Sequence, residues 1–220
     1  MSSLLRFLTP HKTIPHTPWR ADHRWQLSPA RIAILFFGLA IFGLGDSLLV
    51  QGNVGNAPWT VFAQGLSIKT GWALGFSTLV ISVCVLLLWI PLREKPGFGT
   101  LSNILLIASF IQIGVSIFPL QHSFAMGVLF DLIGITLVGI GSSLYITCGL
   151  GPGPRDGAMT GIHQKTGVRV GRVRLGIEMT VLVIGWLMGG TVGVGTLLFA
   201  LLIGHSIAIS LGVVARLTAR

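Results

Sequence analysis

Two acidic residues of this sequence lie inside long apolar runs, where a charge is costly. Asp46 stands late in the first run and Glu178 stands early in the fifth. An ionisable side chain inside a membrane-crossing helix by default indicates an ion or proton pathway. The alternative is a carboxylate at the membrane interface that pairs with a neighbouring cation. Arg174 precedes Glu178 by four residues, which is a helical ion-pair spacing.

Two glycine-rich segments form a second group of candidates. Residues 52–71 read GNVGNAPWTVFAQGLSIKTG, and residues 148–167 read CGLGPGPRDGAMTGIHQKTG. Each predicts a short helix with a proline, Pro58 or Pro154, in its first turn, and we expect Asn56 to cap the first of them. The final glycine of each segment is the expected helix stop.

The start of the second short helix is a candidate anion site. The free N–H groups and the dipole of a helix N-terminus attract negative charge, and Arg155 would add a cation there. The alternative is a cytoplasmic loop in which Asp156 caps the helix and Arg155 only marks the cytoplasmic side. At the equivalent place the first segment carries Trp59, which either stacks on a ligand or anchors the protein at the interface.

The candidate solute-binding residues lie in or near these features. They are Asp46, Ser47, Asn56, Pro58, Trp59, Ser143, Pro154, Arg155, Asp156 and His163. Asp46 and Glu178 are the candidates for coupling an ion to solute binding. His163 is suited either to proton relay or, more simply, to hydrogen-bonded packing. The sequence has no zinc spacing, nucleophile set or P-loop, so we expect no metal, no cofactor and no enzyme.

The composition indicates where these residues work. Of 220 residues, 52% are hydrophobic and 10% are charged, whereas an ordinary soluble domain has about 25% charged residues. This excludes a disordered chain and argues against a soluble enzyme.

Six runs approach or reach the length of a bilayer-crossing helix: 32–50, 72–92, 99–118, 127–147, 175–190 and 193–215. Asp131, near the start of the fourth run, is expected at the membrane interface.

The sequence also repeats itself at an offset of 96 residues. Residues 38–114 align without a gap on 134–210, and 25 of the 77 positions are identical. Glycines, a proline and a Lys-Thr-Gly triplet fall in register, which a general likeness between apolar helices does not explain. The chain is therefore a duplication. Neither Asp46 nor Glu178 belongs to the shared pattern, because each falls on a serine in the other copy.

The basic residues predict the orientation. With six spans and a cytoplasmic N-terminus, 14 of the 15 Lys and Arg residues lie inside and only Lys69 lies outside. An eight-span arrangement, in which both short segments cross, splits the basic loops. We therefore predict an all-α polytopic membrane protein with six transmembrane helices in two inverted-topology repeats of three. Each repeat has a short re-entrant or broken helix after its first span.

The predicted chain has three parts: a cytoplasmic basic tail at 1–30, a first membrane repeat at 31–118 and a second at 127–217. We expect both termini in the cytoplasm. The tail contains three histidines, His11, His16 and His23, whose irregular spacing favours a solvated tail over a metal site. The net charge of +9 then serves orientation and lipid contact, and we expect no nucleic-acid partner.

Three motifs resemble those of a known family. They are the Gly-x-Gly-x-Ser-Leu of 43–48, the Gly-Asn-Ala-Pro-Trp of 55–59 and the Gly-Pro-Gly-Pro-Arg-Asp-Gly of 151–157. Together they resemble the YczE-type integral membrane proteins, the YczE/YyaS/YitT group, over roughly residues 30–215. The resemblance implies a bacterial inner (cytoplasmic) membrane protein, and it supplies neither a substrate nor functional residues.

Three functions fit these features. The first is a small secondary transporter or exporter of a small solute, with an anion as one option, by alternating access between the two halves. The second is a passive channel. The third is a non-transporting assembly or scaffold factor whose basic face holds partners. The expected partners are the lipid bilayer and a small solute or ion, and a homodimer would suit so short a chain.

Overall fold

The described part of the protein, residue 10 and residues 13–218 of a computed structural model, is all-helical. Its helices are α1 Pro29–Gly52, α2 Pro58–Thr70, α3 Leu74–Leu87, α4 Trp89–Leu92, α5 Phe98–Ile117, α6 Phe124–Thr147, α7 Pro154–Thr166, α8 Val170–Leu187 and α9 Val194–Thr218. No strand occurs in these residues. The predicted all-α class is confirmed.

Five stretches of the described chain are long and apolar enough to cross a membrane. They are α1, the stretch Leu74–Leu92 formed by α3 and α4, α5, α6 and α9. The fifth predicted span corresponds to α8, which has 18 residues and carries three charges. These charges come from Arg172, Arg174 and Glu178. The protein is thus a multi-pass membrane protein, and a sixth crossing by α8 stays a prediction.

The two short helices begin and end where the glycine-rich segments predict. α2 and α7 each have a proline in the first turn, and each ends at a glycine in the left-handed region, Gly71 at φ 74° and Gly167 at φ 72°. The predicted cap at Asn56 is wrong. Because the helix starts at Pro58, the cap position is Ala57, and the Asn56 side chain instead donates to Oε1 of Gln64 at 2.8 Å.

The first helices of the two repeats, α1 and α6, pack closely through pairs of glycines. A Cβ at Gly38 would lie 3.1 Å from the carbonyl oxygen of Gly141, and a Cβ at Gly134 would lie 2.6 Å from that of Gly45. Such small residues allow helix backbones to approach in a membrane. Gly38 and Gly134 are equivalent in the repeat, as are Gly45 and Gly141. The residue numbers run in opposite directions, so α1 and α6 are antiparallel.

The connection before each short helix packs against the other repeat. Gly195 N donates to Val54 O at 2.9 Å, and Gly99 N donates to Leu150 O at 2.8 Å. Val54 is equivalent to Leu150, and Gly99 is equivalent to Gly195. A hydrogen bond made by one copy is therefore made again by the other, with the partners exchanged between the repeats. Each short helix also packs on a long helix of the other repeat, because α2 packs on α8 and α7 packs on α3.

Trp89 fixes the start of α7. Its ring lies against the backbone of Gly157, where a Cβ would overlap it, and its Nε1 donates to Pro154 O at 2.9 Å. In the other half the large and the small side chain change places. Gly185 is equivalent to Trp89, and Val61 is equivalent to Gly157. Gly185 accordingly packs against the backbone of α2. Both short helices are thus positioned by close packing against the end of a long helix.

Part of the segment 13–28 packs on the membrane domain, while His16 and His23 are exposed, as expected for a solvated tail. Ala21 is buried and its N–H donates to Cys148 O at 2.9 Å, while Trp19 Nε1 donates to Thr147 Oγ1 at 3.2 Å. The last carbonyls of a helix have no partner within it, and here the N-terminal segment supplies donors at the end of α6. Residues outside the described part include Arg6, His11, Lys12 and Arg220.

Candidate functional site

A cavity of about 300 Å³ lies where the two repeats meet. Sixteen of its 22 lining residues form eight pairs that are equivalent in the repeat, 96 residues apart. Because both members of a pair line the same space, the cavity lies at the pseudo-twofold centre between the two repeats. The pairs that contain a charge or a proline are Asp46 with Ser142, Pro58 with Pro154, Trp59 with Arg155, and Ser82 with Glu178.

The N-termini of the two short helices meet at this cavity. Trp59 and Arg155 are the second residues of α2 and α7, and the guanidinium carbon of Arg155 lies 4.9 Å from the centroid of the Trp59 ring. Each helix N-terminus is equivalent to about half a positive charge. Trp59 is only 8% exposed, so the interpretation as an interface anchor is wrong. The tryptophan packs between the halves, with Arg155 over its ring.

Asp46 connects α1 to the start of α2 inside the cavity. Its side chain is buried, and Thr60 Oγ1 donates to its carboxylate at 3.0 Å. Arg155 supplies the opposite charge that acts on it. Asp46 is therefore a buried carboxylate that accepts a hydrogen bond from the Thr60 hydroxyl, with the charge of Arg155 in the same cavity.

Two further polar contacts form the other side of the cavity. Tyr145 Oη donates to Oδ2 of Asp156 at 2.9 Å, so the Asp156 carboxylate is held by a side chain of α6. Arg174 Nε donates to Oε1 of Glu178 at 2.9 Å, which confirms the predicted ion pair. Arg174 is 50% exposed in its side chain, and Asp156 is exposed as well. The cavity thus runs from buried Asp46 to exposed charges at the start of α8.

The packing beside the cavity differs between the halves. In the first repeat, a Cβ at Gly75 of α3 would lie 2.5 Å from Ala108 O of α5, and Gly75 N donates to Oε1 of Gln112 at 3.0 Å. The equivalent glycine of α8 is Gly171, and its Cβ position has no heavy atom within 4 Å. Gly204 of α9, equivalent to Ala108, is equally open. α3 and α5 therefore touch at a place where α8 and α9 are apart.

Four predicted site residues do not line the cavity. The Oγ of Ser47 donates to Leu44 O at 2.7 Å, and that of Ser143 donates to Ile140 O at 2.8 Å, so both hydroxyls bond within their own helices. Asn56 bonds to Gln64 as described above. His163 lies near the end of α7, where its Nδ1 is 2.7 Å from Val168 O, and this fits a packing histidine. By contrast, Asp46, Pro58, Trp59, Pro154, Arg155, Asp156 and Glu178 all line the cavity.

The cavity also contains polar residues that sequence reasoning missed. They are Ser82, Asn103, Ser142, Tyr145 and Arg174. Ser82 and Ser142 are the repeat equivalents of Glu178 and Asp46, so the alignment itself held the signal. When a cavity lies at the pseudo-twofold centre between two repeats, equivalent residues of both repeats line it. Tyr145, the one tyrosine of the chain, lies in an apolar run and gave no such signal.

Asp131, expected at the membrane interface, is buried inside the protein, and its depth in the membrane stays a prediction. Its side chain is 0% exposed, because the carboxylate lies against the backbones of Gly52 and Gly195. It does not line the central cavity.

Comparison with known proteins identifies relatives along most of the chain. The model of a family of unknown function, DUF6198, matches residues 29–211. The chain is 44% identical over 206 residues to an uncharacterized protein of Haemophilus influenzae, and the match covers 94% of each chain. It is 36% identical over 183 residues to the uncharacterized membrane protein YczE of Bacillus subtilis, covering 82% of this chain and 85% of that one.

A further relative is the uncharacterized protein YyaS of Bacillus subtilis, which is 28% identical over 185 residues. That match covers 81% of this chain and 91% of YyaS. No solved structure matches the chain. The family match extends from the start of α1 into α9 and includes both short helices and the cavity. The chain therefore belongs to the family of unknown function DUF6198, as a membrane protein of the YczE type.

Proposed function

We propose that this protein is a small secondary transporter of the bacterial inner membrane. Its two repeats, inverted relative to each other, would give alternating access to the central cavity. The observation that carries this proposal is the difference between Gly75, which is packed on α5, and Gly171, which faces open space. Two inverted halves that exchange conformations open a cavity first to one side and then to the other.

The proposed orientation assigns a conformation to the structure. With the N-terminus in the cytoplasm, Gly75 lies toward the outside and Gly171 toward the inside. The packed α3–α5 contact then closes the outer side, and the separation of α8 from α9 opens the cytoplasmic side. The antiparallel packing of α1 on α6 supports the inversion, and the exposure of Arg174 beside buried Asp46 supports an inward-open cavity.

The charges around the cavity favour a small zwitterionic solute. Asp46, Asp156 and Glu178 face Arg155 and Arg174, while two helix N-termini add about one positive charge in total. The site is therefore close to neutral. A solute carboxylate would be received by Arg155, and a solute cation would be received by the acids. A simple inorganic anion would have to compete with Asp46 and Asp156 for the same guanidinium.

Asp46 and Glu178 are the proposed coupling residues. Each lies near an arginine of the second repeat, since the charge of Arg155 acts on Asp46 and Arg174 bonds to Glu178. A solute or an ion that takes one partner of a pair leaves the other partner uncompensated, which shifts the balance between conformations. We propose no enzymatic activity.

Uptake into proteoliposomes tests this proposal. Radiolabelled amino acids and small inorganic anions are offered to the purified protein under an imposed proton or sodium gradient. We expect saturable, gradient-dependent accumulation of a zwitterion, its loss in Arg155→Gln, and uncoupled flux in Asp46→Asn. Lys69→Gln, an exposed change away from the cavity, is the matched control. Flux without saturation or gradient dependence would indicate a channel, and no flux for any solute would favour an assembly factor.

A further inference from the structure

The carboxylate of Asp131 is buried and has no partner among the described residues. Both of its oxygens are inaccessible to solvent and accept no hydrogen bond. The residue lies near the start of α6, about two turns from its first residue. A charged carboxylate without a partner is very costly to bury, so a buried acid of this kind must take up a counter-charge or be neutral.

The backbones of two glycines lie against this carboxylate. A Cβ at Gly52 would lie 2.5 Å from Oδ1 of Asp131, and a Cβ at Gly195 would overlap Oδ2 and also the carbonyl oxygen of Gly55. These glycines come from the end of α1, the connection before α2 and the start of α9. None of these glycines has a titratable side chain.

The other half of the protein fills the equivalent position with an apolar residue. Residue 35, 96 positions before 131, is Leu35, and it is fully buried in α1. The fold therefore does not need an acid at this place, and an apolar side chain would avoid the cost of burying a carboxyl. An acid that the architecture does not require, at a membrane-buried position, indicates a functional role.

We propose that Asp131 is a proton-binding site, at which the carboxylate takes up a proton when the outer connection 53–57 is closed over it and releases it when that connection moves. The same connection leads directly into Pro58 and Trp59 of the central cavity. A change at the cavity is thereby transmitted to the cover of Asp131 through a few residues of chain. Proton binding does not depend on transport, and only its role in coupling rests on the proposed function.

Infrared difference spectroscopy of the purified protein in lipid tests this directly. The chain has only six Asp and Glu residues, so a carboxylic acid C=O band is assignable by single substitutions. At neutral pH we expect such a band in the wild type, shifted in D₂O, lost in Asp131→Asn and retained in Asp46→Asn. Persistence of the full band in Asp131→Asn, or its absence from the wild type, would overturn the proposal.

Two further measurements keep the test decisive. If Asp131→Asn does not fold, Asp131→Leu replaces it, because Leu35 shows that leucine suits the equivalent environment. Sodium chloride is titrated against choline chloride while thermal unfolding is followed. Stabilisation by sodium in the wild type but not in Asp131→Asn would identify a sodium site and contradict proton binding. None of these readouts requires a transported solute, so failure here is distinct from failure of the proposed function.

Discussion

The guanidinium of Arg155 stacks on the ring of Trp59 with 4.9 Å between the guanidinium carbon and the ring centroid. These two residues occupy the same position in the two copies of the repeat, so the contact joins a residue to its own equivalent. It can form only where the two halves meet. Trp59 and Arg155 line the central cavity together with the buried Asp46.

The first prediction concerns the shape of the Arg155 side chain. Arg155→Lys keeps the charge but loses the planar group that stacks on Trp59 and presents two parallel donors to a carboxylate. We expect the affinity for a zwitterionic solute to fall about tenfold or more, which corresponds to about 1.4 kcal/mol. Isothermal titration of the purified protein measures this. Arg93→Lys, outside the central cavity, is the control, and equal affinities in wild type and Arg155→Lys would show that binding does not use the planar guanidinium.

The second prediction uses two equivalent glycines. Gly171→Ala places a methyl group in open space near the start of α8. Because the substitution lowers the conformational entropy of the unfolded chain, thermal stability should be kept or raised, by at most about 1 kcal/mol. Transport should nevertheless slow, because in the outward-open state Gly171 would pack on α9 as Gly75 now packs on α5. Gly75→Ala should lower stability by about 1–3 kcal/mol through overlap with Ala108 O.

Unfolding curves and initial uptake rates of these two variants decide the matter. A Gly171→Ala protein that transports at the wild-type rate would show that α8 and α9 never close at this place. A Gly75→Ala protein of unchanged stability would show that α3 and α5 are not in contact.

Much of the fold follows from the sequence because its signals are local. A proline at the start and a glycine at the end define each short helix. In both repeats the glycine of the Lys-Thr-Gly triplet, Gly71 or Gly167, ends the helix in the left-handed region. The burial of Trp59 and Asp46 does not follow, because each has its partner in a different element. The contrast between Gly75 and Gly171 is invisible in sequence, since the two glycines are identical and only their conformational surroundings differ.

The third prediction concerns the two equivalent lysines in the last turns of the short helices. Both Lys69 and Lys165 are exposed, and inverted repeats put them on opposite sides of the membrane. In a background without Cys84 and Cys148, Lys69→Cys should react with a membrane-impermeant maleimide in intact cells. Lys165→Cys should react only after the membrane is permeabilised. Reaction of both cysteines from the same side would indicate parallel repeats and eight crossings.

Distances between pairs of spin labels, measured by double electron–electron resonance with the protein in lipid, test alternating access most directly. One pair, at Trp72 and Ile117, reports the outer side, and the equivalent pair at Val168 and Val213 reports the inner side. Without a gradient we expect a short outer distance and a longer inner one. Solute with an imposed gradient should lengthen the outer distance and shorten the inner one. Two distances that stay fixed, or that change in the same direction, would contradict exchange between the two halves.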